Sequence, residues 1–300
     1  MMSFLIQVHG RSVGVTLMSC ENAIGSLTFD VEEWFHILDD SAVPDFIDWS
    51  HLESRLPKNM ELILSILAEH KTKATMFWLG WAAEKYPALV RQCAKEGHEI
   101  ASHGYRHVLA YQVGRQTFKE DIVRGKRLLE DITGMSVTGF RAAGFGTTAD
   151  TPWIFEEIRD AGYLYDSSVF PAMRGHGGIA DFNIEPHAIE TSEGKLIEFP
   201  QSVVEVFGRR ISFFGGGYLR LSPRFLIKWG ISRLHKNGRP LIIYVHPREV
   251  DPDHPRLPLK LSRRFKSYVN LRSIIPKLYW LCSNYRFALM RDVAASYHIT

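Results

Sequence analysis

The sequence predicts an α/β fold, a (β/α) barrel carrying a glycine-rich insertion. Strand-like and helix-like segments alternate through the first half at about 25 to 35 residues per unit, the rhythm of parallel βα repeats. Reactive residues fall where the strand-like segments end, at Asp30, Ser102-His103, Arg141 and Asp166, which is the face where barrels build their sites. The 300 residues are 45% hydrophobic and 23% charged, enough apolar mass for one full core. We expect a single domain over residues 1–300, with its core over 26–256 and a basic helical extension over 257–300.

Each element has a local reason. Ser26 to Asp30 is β-prone and ends in a carboxylate. Pro57 to His70 sets Leu62, Ile63, Ile66 and Leu67 at helical spacing, with proline at the start, where its missing N–H costs nothing. Lys73 to Leu79 reads as a strand, Ala82 to Lys95 as a helix and Gly97 to Ser102 as a strand. Phe118 to Asp131 is an amphipathic helix stopped by Gly134. Val137 to Arg141 (strand), Pro152 to Asp160 (helix) and Tyr163 to Tyr165 (strand) continue the pattern. The middle then changes: Arg174 to Gly178, Gly194 and Gly215 to Gly217 punctuate short strands such as Lys195 to Phe199, as in an insertion or hairpin at a cavity mouth. A helix over Pro223 to His235 and an apolar strand over Leu241 to Val245, ending in His246, resume the pattern. Glycines 215 to 217 lack the lysine and the strand-to-helix context of a phosphate loop.

Composition narrows the function. A net charge of +3 is too small to argue for nucleic acid. Cys20, Cys93 and Cys282 are odd in number and show no metal spacing, which fits a reducing compartment. The first ten residues lack a basic region and a cleavage pattern, and no stretch reaches the length of a membrane span, so a cytoplasmic location is expected. One charge asymmetry stands out. From His254 to Lys277 there are seven basic residues (Arg256, Lys260, Arg263, Arg264, Lys266, Arg272, Lys277) and no acidic one. A solvated basic face is the plain reading; contact with an anionic membrane or a phosphate-bearing substrate is the functional one.

The chemistry concentrates in a few segments. Asp30-Val-Glu32-Glu33 offers a general base and a metal ligand, since Asp30 and Glu32 share one side of an extended chain and Glu33 faces away; a solvated acidic turn is the alternative. His103 and His107, four apart, suit one face of a helical turn sharing a cation, although Gly104 argues against a long helix. His246 closes an apolar strand, where it either caps the core or donates a proton. Arg141 can orient a carboxylate or form a rim salt bridge, and Asp166-Ser-Ser is ordinary turn chemistry when read alone. Other histidines, His36 among them, have no matching constellation, with His176 a loose candidate in its glycine-rich loop.

Taken in order, Thr-Phe-Asp30-Val-Glu32, Ser102-His103-Gly-Tyr-Arg-His107, Phe-Arg141-Ala-Ala-Gly, Tyr-Asp166-Ser-Ser and Tyr-Val-His246-Pro resemble the polysaccharide deacetylase family (carbohydrate esterase family four), distorted barrels that remove acetyl groups from sugars. Asp30-Val-Glu-Glu-Trp-Phe-His36, Glu198-Phe-Pro200, Gly215-Gly-Gly-Tyr-Leu-Arg220 and His246-Pro-Arg-Glu-Val-Asp-Pro252 are similar to segments of a bacterial subgroup associated with exopolysaccharide synthesis. The resemblance implies Asp30 as catalytic base, Arg141 as its orienting partner and His246 as the acid for the leaving amine. His103 and His107 would bind one divalent metal ion, zinc foremost, with cobalt, nickel or manganese as alternatives. Many relatives place the third ligand at the position of Val31; here Glu32 takes that role, with Glu33 the fallback. Tyr165, Asp166, Phe145 and Arg248 would contact substrate, an N-acetylated glycan or a lipid- or nucleotide-linked sugar, with an oxyanion donor near Tyr165-Asp166. Two rivals remain: an amidohydrolase acting on a formamide or cyclic amide, and a glycan-binding barrel impaired by Val31.

Overall fold

The structure, a computed structural model, describes residues 5–8, 11–14, 23–38, 40–172 and 177–297. It opens on an antiparallel hairpin of β1 (Leu5–Val8) and β2 (Arg11–Gly14). The strands that follow are β3 (Gly25–Val31), β4 (Thr75–Trp78), β5 (Glu99–Ser102), β6 (Gly139–Phe140), β7 (Tyr165–Asp166), β8 (His187–Thr191), β9 (Gly194–Glu198), β10 (Val204–Val206), β11 (Arg209–Ile211) and β12 (Leu241–Val245). Apart from the β10–β11 hairpin, these build one eight-stranded sheet in the order β12-β3-β4-β5-β6-β7-β9-β8. All its neighbours are parallel except β8, which runs against β9.

Helices fill the crossovers that parallel pairing requires from β3 to β7 and before β12, while β8 lies in the crossover from β7 to β9. The helices are α1 (Leu56–Glu69), α2 (Gly80–Lys85), α3 (Pro87–Lys95), α4 (Ala110–Val113), α5 (Arg115–Thr133) and α6 (Ile154–Asp160), then α7 (Gly216–Leu221) and α8 (Arg224–Lys236) before β12, with α9 (Leu261–Tyr268), α10 (Ile274–Asn284) and α11 (Met290–Ser296) after it. The sheet curls into a half-barrel. Arg141, just past β6, donates to Thr28 Oγ1 on β3 at 2.7 Å although β4 and β5 lie between. A flat sheet would set those strands about 14 Å apart, so the concave side has folded inward. That side is filled by Phe77, Ala101, Tyr165, Phe199 and Ile242, sealed by Met290, Val293 and Ala294 of α11. The Met290 N–H donates to Thr75 Oγ1 at the start of β4, so α11 plugs the end where the strands begin and leaves the other end for chemistry.

The differences from expectation have local causes. The helix expected over Ala82 to Lys95 breaks at Tyr86 and restarts at Pro87, because proline cannot supply the interior N–H and disfavours helix in the residue before it. The strands at Val137 to Arg141 and Tyr163 to Tyr165 shorten to two residues each, β6 and β7. The glycine-rich middle is no appendage: β9 joins the sheet beside β7. Gly215 precedes α7, and a Cβ there would stand 2.2 Å from the Tyr244 ring, so glycine permits the close approach to β12. Beyond residue 256 the described residues form α9, α10 and α11, and Ile274, Leu278 and Leu281 of α10 are buried in the main core.

Candidate metal centre

The strand ends assemble the site. Trp78, Ser102 and Phe140 share one register across β4, β5 and β6, so the residues that follow them emerge at the same level as Asp30 and Val31 of β3, paired with Phe77 and Trp78. Val31 is fully buried in the core, and Asp30 and Glu32 flank it, each 2% exposed, as alternation on an extended chain requires. The His103 N–H continues the ladder to the Trp78 carbonyl at 2.8 Å.

His103 to His107 is a loop rather than the helical turn expected. Gly104 holds φ at +74°, and a Cβ there would stand 2.7 Å from Asp121 Oδ2. Asp121 of α5 accepts the N–H groups of Tyr105 and Arg106 at 2.7 and 2.9 Å. The carbonyls of Gly104 and Tyr105 accept the N–H groups of Gly80 and Trp81 of α2. Held from both sides, the loop carries His107 at a left-handed φ of 55°, a conformation a bulky residue keeps only when its surroundings impose it.

Glu32, His103 and His107 then converge, with one ligand atom from each lying within 4.8 Å of the others, all buried. Glu32 Oε2 is 2.6 Å from His107 Nε2 and 4.0 Å from His103 Nε2. It makes no hydrogen bond of good geometry and is closed to solvent, an arrangement costly without a partner cation. His103 Nδ1 contacts the Arg141 carbonyl at 2.7 Å; as the donor there it leaves the Nε2 lone pair aimed at Glu32, the usual way a metal-binding imidazole is oriented. Burial lowers the His103 pKa to about 4, so the ring is neutral at pH 7. Burial works against the Glu32 carboxylate, but His107, His246 and Arg248 beside it outweigh that effect and hold it well below the usual range. One carboxylate and two imidazoles, with the tautomer of one fixed, fit a zinc-type divalent ion with open positions.

Beside this group lie two polar arms. Arg141, with no exposed surface, donates through Nη1 to Asp30 Oδ1 at 2.7 Å and to Thr28 Oγ1, and through Nε and Nη2 to Ser167. Asp30 thus presents Oδ2 toward His246 Nε2, 3.8 Å away. His246 Nδ1 meets Glu249 Oε1 at 2.8 Å, and Glu249 Oε2 meets Arg220 Nε at 2.8 Å. Burial depresses the His246 ring, but Glu249 and Glu32 overcome it and the net shift is upward. Arg220 in turn donates to the carbonyls of Gly216, Lys266 and Ser267, which ties the arm to α7 and α9.

Glu32, His36, His107, Phe145, His246 and Arg248 line a cavity of about 850 Å³ whose far wall is α7 and α9. Phe145 and Arg248, expected at the substrate, are therefore on its wall. Three expectations need correction. Glu33 is not the alternative ligand: it accepts from the Ser54 hydroxyl and from the N–H groups of Arg55 and Leu56 at the start of α1. Tyr165 is not at a substrate surface but in the inner core, its hydroxyl donating to Glu99. Asp166, fully buried, is engaged with Ser168, whose Oγ accepts the Ala142 N–H, and with Glu198; it supports the Arg141 loop. His176 lies outside the described residues.

Four contributors were not singled out by sequence. Asp121, Arg220 and Glu249 position the loop and the His246 arm, as above. His36, placed among structural or surface histidines, is 2% exposed, accepts the Glu33 N–H through Nδ1 and sets its ring 4.1 Å from that of Trp49 at 48° between planes, 5.8 Å from the His107 ring. Only the Asp-Val-Glu-Glu-Trp-Phe-His run pointed to it.

Comparison with known proteins gives the same direction. Residues 26–165 match the polysaccharide deacetylase family model, and residues 167–295 match a domain of unknown function, DUF3473. A peptidoglycan-N-acetylglucosamine deacetylase of Bacillus cereus is 34% identical over 101 residues, 34% of this chain and 46% of that protein, so the chain spans less than half of that relative. Two solved structures share the fold at low identity. One from Pseudomonas aeruginosa PAO1 bearing the polysaccharide deacetylase name has a TM-score of 0.57 at 17% identity, covering 91% of this chain and 90% of that one. An allantoinase has 0.58 at 16%, covering 93% and 91%. With its ordered motifs converging on one site and residues 26–165 matched as a unit, this part of the chain is similar to the polysaccharide deacetylase family.

Proposed function

We propose that this chain is a metal-dependent hydrolase removing an N-acetyl group from a sugar unit of a bacterial surface polysaccharide or its precursor. The observation that carries it is the convergence of Glu32, His103 and His107 with the Asp30–Arg141 and His246–Glu249 arms at one cavity. Glu32, His103 and His107 would hold a divalent ion, zinc or else cobalt, nickel or manganese, which would supply Lewis acidity to the acetyl carbonyl and to water. Asp30, oriented by Arg141, takes the proton of the attacking water at Oδ2. His246, kept protonated toward neutral pH by Glu249, delivers a proton from Nε2 to the leaving amine. Phe145 and Arg248 supply an apolar wall and a cation for the glycan.

The expected cytoplasmic location favours a soluble or membrane-held precursor, a lipid- or nucleotide-linked sugar, over finished polymer; the basic residues of 254–277 suit its phosphates and an anionic membrane. Glu32, standing beside His103 and His107 where Val31 cannot serve, speaks against the impaired-barrel reading. The test is product analysis with chitooligosaccharide and peptidoglycan fragments. Acetate release abolished by chelation and restored by zinc, cobalt, nickel or manganese supports the proposal. Formate from a formamide, or stoichiometric metal without any product, overturns it in favour of one of the rivals.

A further inference from the structure

The cavity mouth has a composition that the chemistry does not call for. Tyr218 and Leu221 of α7 and Leu261 and Phe265 of α9 all line it, yet they are 44%, 49%, 83% and 59% exposed. Leu261 and Phe265 are four residues apart on α9 and so share one helix face. That helix buries only Ser267 and Tyr268, so its apolar side gains almost nothing from packing within the protein. Around it stand Lys260, Arg263, Arg264 and Lys266, with Arg263 and Lys266 also on the cavity wall. Asp40, which accepts the Lys260 N–H, is the acidic group set against this cluster, and residues 254–277 contain none.

We propose that the α7–α9 rim is a docking surface for an anionic lipid bilayer, which it brings against the mouth of the cavity. Large apolar side chains ringed by lysine and arginine on a short surface helix are the pattern of interfacial helices, where the rings and branched chains enter the acyl boundary and the cations meet phosphate headgroups. A protein partner would be served by the apolar residues but gives no reason for a cluster so one-signed; a bilayer of negative headgroups does. The inference rests on the lipid-linked substrate reading and deepens it: a sugar held at the bilayer by a phosphate-linked lipid would enter past Lys266 and Arg263 without leaving the surface. The Arg220 bonds to the Lys266 and Ser267 carbonyls connect this rim to the Glu249–His246 arm.

The test uses the full chain with vesicles of phosphatidylcholine alone and of phosphatidylcholine with phosphatidylglycerol at about seven to three. Cosedimentation with the second and not the first, weakening as salt is raised, is expected. The double variants Leu261→Ser/Phe265→Ser and Lys260→Gln/Arg264→Gln should each lose about tenfold in vesicle affinity, with unchanged melting temperature and metal content. Equal binding to both vesicles, no binding, or parental binding by both variants overturns the proposal. So does a dimer in light scattering that the Leu261→Ser/Phe265→Ser chain no longer forms. Vesicle binding by a chain that releases no acetate from any glycan would leave the docking surface standing and sink only the deacetylase reading.

Discussion

His103, buried, and His246, partly buried, are both imidazoles beside Glu32, yet their partners assign them opposite tasks. Burial keeps His103 neutral, and the Arg141 carbonyl, accepting from Nδ1, leaves its Nε2 lone pair toward Glu32; the Glu249 carboxylate outweighs burial at His246 and raises that ring's pKa. His103→Ala should therefore lose retained metal along with activity, whereas His246→Ala should keep metal and lose about 100-fold or more in kcat, as elemental analysis and steady-state kinetics will show. Loss of metal from both would sink the assignment. Glu249→Gln separates charge from orientation, since the amide oxygen can still accept from Nδ1. Without the negative charge the His246 pKa falls, the protonated ring is lost at lower pH, and the alkaline limb of the kcat profile moves to lower pH with a loss of about 10- to 100-fold. An unmoved limb would show that His246 is not the acid. The reactive residues themselves were legible in sequence because each sits in a short motif at a strand end. Glu249, Asp121 and His36 were not, because a lone acid or histidine takes its role from neighbours far away in sequence.

At the scale of elements, the alternation of strand and helix was legible wherever periodicity ran for a full segment, as in α1, α5 and β12. It failed where tertiary contact decides. β6 and β7 have two residues each, too few for a period-two pattern, and Gly215 to Gly217 looked like loop because nothing local discloses the Tyr244 ring packed against Gly215 and Gly216. The His103–His107 loop is the clearest case. Spacing of four suggested a helical face, but the rings meet because Asp121 of α5 ties down two loop amides while α2 donates to two loop carbonyls. Asp121→Ala would leave the Tyr105 and Arg106 amides without their acceptor, at about 1–3 kcal/mol each, and would free His107 to leave its left-handed φ. We expect metal affinity to fall about tenfold or more in chelator competition, with Asp121→Asn intermediate because one oxygen remains. Parental affinity in the alanine variant would mean that the loop is held by its other contacts alone.

For the molecule as a whole, curling the sheet into a half-barrel places polar side chains of distant strands on one concave face, and the molecule meets that burden with paired groups. Glu99 receives the hydroxyls of Thr75 and Tyr165 and the Arg291 N–H near the α11 plug, and Arg141 spans β6 to β3 at the site. Between them Asp166 and Glu198, in register on β7 and β9, are two carboxyls with no exposed surface. Burial is the main reason that both pKa values rise, Asp166 to about 6, with each carboxyl coupled to the other. In the unfolded chain both ionise near pH 4, so between about 4 and 6 the folded state binds more protons, and this pair's contribution to stability declines as pH rises. His103, depressed to about 4, acts in the opposite sense over the same window, so parent stability alone will not isolate the pair. The difference between Glu198→Gln and parent does, because every other group cancels. The amide can donate to an ionised Asp166, which removes the need for a shared proton, and the variant's melting temperature relative to parent should rise by a few degrees from pH 4 to pH 7. Both proteins are to be measured in chelator, so that metal binding at Glu32 does not enter. A difference that stays flat across that range would mean that Glu198 has no raised pKa in the folded state and that the two carboxyls do not share a proton.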